Sequence, residues 1–124
     1  MKKLFINNRD ELVIIDLEQI AYVKADGNYI NIAYMGGAKA TLSVGLTNFE
    51  TLIRNTYRER CPFVRLGRSI IINQLFLYDV NVSKQQLILT NYRQSLTIKM
   101  SKRVLKDYKA MIVKSDINKS KKEG

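Results

Sequence analysis

Three short polar segments contain most of the side chains that could recognise a charged partner. They are Lys-Ala-Asp-Gly-Asn-Tyr at positions 24–29, Arg-Leu-Gly-Arg-Ser at 65–69 and Lys-Met-Ser-Lys-Arg at 99–103. Arginine and lysine bind phosphate oxygens and the edge of guanine, and an asparagine amide can pair with adenine through two hydrogen bonds. These residue types favour binding to a polyanion over bond-making chemistry.

The first two segments lie at predicted turns. Positions 26–28 read Asp-Gly-Asn, a strong hairpin-turn sequence that would present the Asn28 amide at its tip. Arg65 and Arg68 flank Gly67 just before a very apolar strand, and glycine would let the backbone approach a sugar-phosphate strand closely. The alternatives are a hairpin turn with no further role and a solvated loop whose cations keep the protein soluble.

The third segment lies before the last predicted helix. Ser101 is a plausible N-cap, which places Lys102 and Arg103 in the first turn. Cations there oppose the helix macrodipole at a cost of roughly 0.3–1 kcal/mol each. An anion such as a phosphate would relieve that repulsion, so Lys99, Lys102 and Arg103 favour a binding role.

The overall charge agrees with a polyanionic partner. Lys and Arg number 21 and Asp and Glu number 11, which gives a net charge of +10. Residues 99–124 contain nine cations and three anions, and therefore six of the ten net charges. The alternative is charge that serves solubility alone. Residues 115–124 have one apolar side chain, and we expect them to form a basic, disordered tail.

Several classes of chemistry lack their usual residues. The chain has no His and one Cys, which removes the commonest general base, the His-paired nucleophiles and any zinc site built from these residues. Cys61, beside Pro62, is interpreted as structural, and no Gly-rich phosphate-binding motif is present. No apolar run approaches the roughly 20 residues that cross a bilayer. We expect a cytoplasmic protein that is not an enzyme and needs neither metal nor cofactor.

The apolar pattern predicts a mostly β (α+β) fold. Short alternating runs predict an antiparallel meander up to residue 44, and further strands follow Pro62. Between them, helical spacing predicts a central helix that begins with a Thr47–Glu50 capping box and ends at Pro62. Its apolar face would contain Leu46, Phe49, Leu52, Ile53 and Tyr57. The final helix would bury Val104, Leu105, Tyr108, Met111 and Ile112, and residues 1–114 are predicted to form one domain.

In this order and at these spacings, the three segments resemble the LytTR family of DNA-binding domains. The resemblance covers about residues 2–110, with anchors at 22–29, 63–73 and 98–106. It implies an elongated antiparallel β-sheet domain, the output domain of bacterial response regulators, whose loops enter successive major grooves of double-stranded DNA. It also implies binding to promoter direct repeats, often by two molecules.

The resemblance also implies roles for individual residues. The base-contacting loops of the family fall on Asp26, Asn28 and Tyr29, on Gly67, Arg68 and Ser69, and on Lys102 and Arg103. Arg65 and Lys99 would contact phosphates, and Lys106, one turn along the same helix face as Lys102, would do likewise.

Three departures from the family pattern matter. Arg68 stands where some members carry Asn, which changes the base that this position would prefer. Lys102 stands where many carry a second Arg, and a lysine would make a weaker bidentate contact than arginine. About 20 residues precede Tyr22, too few for a receiver domain or membrane segment. We therefore expect either a separate signalling partner or regulation by abundance.

Three other functions remain open. A module for RNA or single strands would stack bases on exposed aromatic rings, for which Tyr29 and Tyr92 are the candidates. A membrane-surface protein would use the basic tail, although the last helix has neither Trp nor a Phe-rich edge. The third is a protein-interaction adaptor whose charge is incidental.

Overall fold

A computed structural model describes the backbone of residues 2–123 and the side chains of residues 2–115. The chain divides into two compact units, with the boundary between Phe76 and Leu77. Each unit has its own antiparallel sheet, and the mostly β fold with two helices agrees with the sequence prediction. The assignment of residues 1–114 to one domain stays a prediction.

Unit 1 contains two sheets and one helix. Its elements are β1 Lys3–Asn7, β2 Leu12–Asp16, β3 Ile20–Asp26, β4 Tyr29–Tyr34, β5 Lys39–Leu42, α1 Leu46–Tyr57, β6 Phe63–Leu66 and β7 Ile70–Asn73. Among the described residues, β1 and β2 form a two-stranded sheet, and the second sheet has the antiparallel order β5-β4-β3-β7-β6. The expected single meander is therefore wrong, because a 3₁₀ turn with buried Leu17 redirects the chain between β2 and β3.

The core of unit 1 lies between its larger sheet and α1. Leu46, Phe49 and Ile53 of α1 are buried, as their helical spacing predicts, and Tyr57 is half-buried. Leu52 is 37% exposed, so its expected place in the core is wrong. The helix packs against apolar side chains from both sheets, among them Ile15, Val23, Ile30, Ile32 and Ile71.

Both predicted ends of α1 differ from the structure. The N-cap is Gly45 and makes no side-chain capping hydrogen bond, so the expected Thr47–Glu50 capping box does not form. The helix ends at Tyr57, before Pro62, where Arg58 takes a positive φ of 61° and its amide bonds to the Arg54 carbonyl.

One buried amide holds the larger sheet in register. Asn73 is fully buried at the end of β7, and its Nδ2 donates to the Ile20 carbonyl at 3.0 Å. Its Oδ1 accepts from the Leu75 amide at 3.1 Å. Because both ends of the side chain are satisfied, Asn73 fixes the start of β3 against the end of β7.

Unit 2 contains β8 Leu77–Asn81, β9 Gln86–Thr90, β10 Ser95–Lys99 and α2 Lys102–Glu123. The three strands form a sheet of order β10-β9-β8. Leu87, Leu89, Ile98, Leu105 and Tyr108 are buried, whereas Met111 is 54% exposed, so its predicted place in the core is wrong. The predicted tail at residues 115–124 overlaps the end of α2, where the side chains of 116–124 lie outside the described residues.

Candidate nucleic-acid interface

The first candidate segment forms the two-residue turn between β3 and β4. Asp26 pairs with Tyr29, and Gly27 takes the first central position with φ +61°, where a type II′ turn requires glycine. Asn28 and Tyr29 are exposed. Asp26 is held by the sheet, because Asn31 Nδ2 donates to its Oδ2 at 3.3 Å. Asn28 therefore provides the exposed side-chain amide of this turn.

The second segment forms the three-residue turn between β6 and β7. Leu66 pairs with Ile70 across its base, and Gly67, Arg68 and Ser69 are all exposed. Gly67 has a φ of +62°, which a residue with a Cβ adopts only at a cost. The turn presents the Arg68 side chain to solvent.

The two turns of unit 1 lie side by side. Strand β3 pairs with β7 in a register that sets Lys24 opposite Ile70. The ladder extends into the second turn, where the Ala25 amide donates to the Ser69 carbonyl at 2.8 Å. Asn28 and Arg68 are therefore carried by neighbouring turns at one end of the same sheet.

Arg65 differs from Lys99, which makes one long hydrogen bond of 3.4 Å to Gln86 Oε1, because its guanidinium makes three hydrogen bonds. Its Nη1 donates to Thr47 Oγ1 at 2.8 Å and to Glu50 Oε1 at 3.2 Å, and its Nη2 donates to the Arg68 carbonyl at 2.6 Å. The side chains of Arg65 and Glu50 are only 25% and 21% exposed. Arg65 thus links α1 to the β6–β7 turn.

In unit 2, the start of α2 has the predicted cap. Ser101 Oγ accepts from the Val104 amide at 3.3 Å, and the Ser101 carbonyl accepts from the Leu105 amide at 3.2 Å. The first turn of α2 contains no acidic residue. Exposed cations therefore surround the positive end of a helix dipole. They are Lys99, Lys102, Arg103 and Lys106.

Sequence reasoning missed Lys84, which the structure brings to this surface. The Met100 amide donates to the Gln85 carbonyl at 3.1 Å, and this bond joins the β8–β9 turn to the segment before α2. An open recess of about 460 Å³ lies between them, with Lys84 and Lys99 in its lining and no acidic residue. Lys84 lies in the β8–β9 turn, and the pairing of Lys99 with Gln86 in the neighbouring strands sets this turn beside Met100. The strand pairing, and not the local sequence, therefore reveals its place.

The candidate residues thus form two sets. Unit 1 carries Asp26, Asn28, Tyr29, Arg65, Gly67, Arg68 and Ser69, and unit 2 carries Lys99, Lys102, Arg103 and Lys106. Within the described residues, no group of three or more acidic or sulfur ligands could hold a metal ion. Among residues 2–123, no helix has the length and apolar content that a membrane crossing requires.

The raised pKa values in this protein belong to tyrosines outside both sets. Burial, followed by the charge of Asp16, raises the pKa of Tyr34. Burial, followed by the charges of Glu18, Cys61 and Asp16, raises the pKa of Tyr57 to about 12. Burial alone raises the pKa of Tyr108. These phenols stay protonated near neutral pH and play a structural part.

Two exposed aromatic side chains of unit 2 contact each other. The rings of Tyr78 and Tyr92 meet edge to face, with centroids 6.5 Å apart, and Tyr92 is 87% exposed. Tyr29, in unit 1, is 51% exposed. These are the rings that a single-stranded nucleic acid could use for stacking.

Comparison with known proteins identifies the family of the chain and a solved structure with a similar fold. The sequence model of the LytTr DNA-binding domain matches residues 10–113. A solved structure described as the LytTr DNA-binding domain of a methyl-accepting/DNA response regulator from Bacillus cereus has a similar fold, with a TM-score of 0.62 and 14% identity over 90% of this chain and 97% of that one. No curated protein matches. Because the family model covers most of its length, the chain belongs to the LytTr DNA-binding domain family.

Proposed function

We propose that this protein regulates transcription by sequence-specific binding to double-stranded DNA, with its turns inserted into the major groove. Family membership implies DNA binding and transcription regulation. The observation that best supports the finer proposal is the hydrogen bond from Ala25 to Ser69, because it holds two exposed polar turns side by side. Such a pair can present Asn28 and Arg68 to neighbouring base edges.

The proposed roles follow from position and chemistry. Asn28 suits adenine and Arg68 suits guanine, while Lys102 and Arg103 contact bases from the start of α2. Phosphates are contacted by lysines around that start, where the helix dipole also favours negative charge. These lysines are Lys84, Lys99 and Lys106. Asp26, Gly27 and Gly67 shape the turns, and Tyr29 and Ser69 contact the DNA beside them.

The wider setting is also proposed. The protein acts in the cytoplasm on promoter direct repeats, and a second copy occupies the neighbouring repeat. Its activity is controlled either by a separate signalling partner or by its own abundance. No metal, cofactor or membrane takes part, and the protein catalyses no reaction.

The first experiment measures affinity for duplex DNA across a range of salt concentrations. Each phosphate contact should add roughly 0.9 to the slope of log affinity against log salt. The three proposed phosphate contacts would thus give a slope of about −2.7. Single-stranded DNA, RNA and anionic vesicles serve as competitors at two salt concentrations. Tighter binding to single strands, with loss on Tyr92→Ala, would favour the stacking function instead.

The second experiment is a binding-site selection with four proteins: wild type, Arg68→Ala, Lys102→Ala and Lys99→Ala. Loss of a base contact should cost about 1–3 kcal/mol on the selected site and relax the preference at one position. Loss of a phosphate contact should weaken binding to all sequences alike. Circular dichroism confirms folding. If Arg68→Ala and Lys102→Ala keep the wild-type preference, the sequence is recognised through Asn28, backbone groups or DNA shape.

A further inference from the structure

The guanidinium of Arg65 is held between a helix and a turn. Nη1 donates to Thr47 Oγ1 and Glu50 Oε1 of α1, and Nη2 donates to the backbone carbonyl of Arg68. Three acceptors on two elements therefore share one side chain. Only arginine presents donors in a rigid planar fork that can serve both sides at once.

Two polar side chains of α1 bind Arg65 instead of capping the helix. Thr47 and Glu50 have the spacing of a capping box, yet neither caps α1, whose N-cap Gly45 makes no side-chain bond. Glu50 uses one oxygen for Arg65 at 3.2 Å and the other for Arg54 at 3.1 Å. The expected local interaction is replaced by one that reaches the β6–β7 turn.

The turn is held at two successive carbonyls. Arg65 binds the carbonyl of Arg68, and the Ala25 amide binds the carbonyl of Ser69. These bonds hold the two peptide groups on either side of the Ser69 Cα, while the Arg68 side chain remains exposed. A side chain that contacts a base needs a backbone held in a fixed position, because a displacement of the side chain by about 1 Å disrupts its hydrogen-bond geometry.

Resting on the proposed function, we propose that Arg65 is a positioning residue that fixes the β6–β7 turn for base contact, with Thr47 and Glu50 as its supports. It does not act as a phosphate contact. Moving the guanidinium to a phosphate would leave Oε1 of the Glu50 carboxylate, only 21% exposed, without this partner. Arg54 would still bind Oε2, but losing one of two ion pairs at a half-buried carboxylate is costly. An acidic residue of α1 is thereby required for recognition of DNA.

Glu50→Gln separates the two roles because it raises the net charge from +10 to +11. If Arg65 contacts phosphate, releasing it should maintain or strengthen binding to all DNA. If Arg65 positions the turn, we expect Glu50→Gln and Arg65→Lys each to weaken binding to the selected site by about tenfold. Both variants should broaden the preference at the base position that Arg68→Ala broadens, with an unchanged salt slope.

Glu59→Gln is the matched control, since it removes the charge of an exposed carboxylate beyond the end of α1. We expect it to bind at least as tightly as wild type. Thermal unfolding monitors stability, and if Arg65→Lys does not fold, Thr47→Ala removes one support from an exposed position and should broaden the same base preference.

The positioning role is overturned if Glu50→Gln binds the selected site as tightly as wild type. It is also overturned if Arg65→Lys keeps the wild-type preference, or if Arg65→Gln lowers the salt slope by about one on every sequence. If the proposed function itself is wrong, the result is distinguishable, because the wild-type protein would then show no sequence preference at all.

Discussion

The Met100 amide lies 3.1 Å from the Gln85 carbonyl, and this bond extends by one residue the β9–β10 ladder, in which Lys99 pairs with Gln86. It places the β8–β9 turn, in which Gln85 has a positive φ of 53°, beside the start of α2. As a result Lys84, in the β8–β9 turn, and Lys99, at the end of β10, line one recess. The cationic surface of unit 2 is therefore built by a long-range contact as well as by the helix.

Lys84→Ala should lower the salt slope of DNA binding by about 0.9, because one phosphate contact is lost. Sequence preference should stay as in wild type. The measurement is affinity for one duplex at four or more salt concentrations. Lys3→Ala, which removes an exposed lysine from β1, is the control and should keep the wild-type slope. An equal change in both variants would show that only the net charge matters.

Gly27→Ala should lower the free energy of unfolding by about 1 kcal/mol. The cause is conformational, since φ is +61° and a Cβ at this position would meet nothing within 4 Å. Gly36→Ala is the matched control, because it has the same open surroundings without the positive φ. Its stability should be unchanged or slightly raised. Urea unfolding measures both, and equal stabilities would contradict the strain argument.

Tyr108→Phe should raise stability by about 1 kcal/mol. The Tyr108 side chain is 2% exposed, and its hydroxyl has no hydrogen-bond partner among the described residues. Removing a buried, unpaired hydroxyl relieves a desolvation cost. Tyr78→Phe, at a ring that is 64% exposed, should leave stability unchanged. A loss of stability in Tyr108→Phe would mean that the hydroxyl has a partner in solution.

Tyr57→Phe should reduce the loss of folding stability at alkaline pH. The folded pKa of Tyr57, about 12, lies above the ordinary value of 10.0, so the folded state keeps the proton longer than the unfolded state. The resulting stabilisation is complete below pH 10 and is lost as the pH rises toward 12. Denaturant unfolding between pH 9 and 11.5 should show a smaller decline for Tyr57→Phe. Tyr34 and Tyr108 act in the same direction, so some decline should remain; an unaltered decline would contradict the prediction.

The local elements of this fold could largely be predicted from the sequence. Alternation and turn residues predicted the strand Gln86–Thr90 and the hairpin at Gly27, and helical spacing predicted the burial of Phe49 and Leu105. The Ser101 cap also formed as expected. These features depend on residues close together in the chain, where short-range rules apply.

The errors come from contacts between distant segments. Thr47 and Glu50 match a capping box, but Arg65 engages both side chains. The pairing of β3 with β7 brings the turns of unit 1 together, and no local pattern specifies that pairing. Met111 has helical core spacing yet is exposed, because spacing alone does not say how wide the buried face of α2 is.

The register that pairs Lys24 with Ile70 fixes how far the β3–β4 turn lies from the β6–β7 turn. This distance can change only by a whole number of residues. A one-residue slip would exchange the faces of the strand, so only shifts of two residues, about 6.7 Å, keep the core intact. Substitutions at Asn28 or Arg68 leave that separation untouched. Proteins with the same strand register can therefore differ in the side chains at these two positions while the distance between the turns stays constant. Base preference can thus evolve without a change in the sheet.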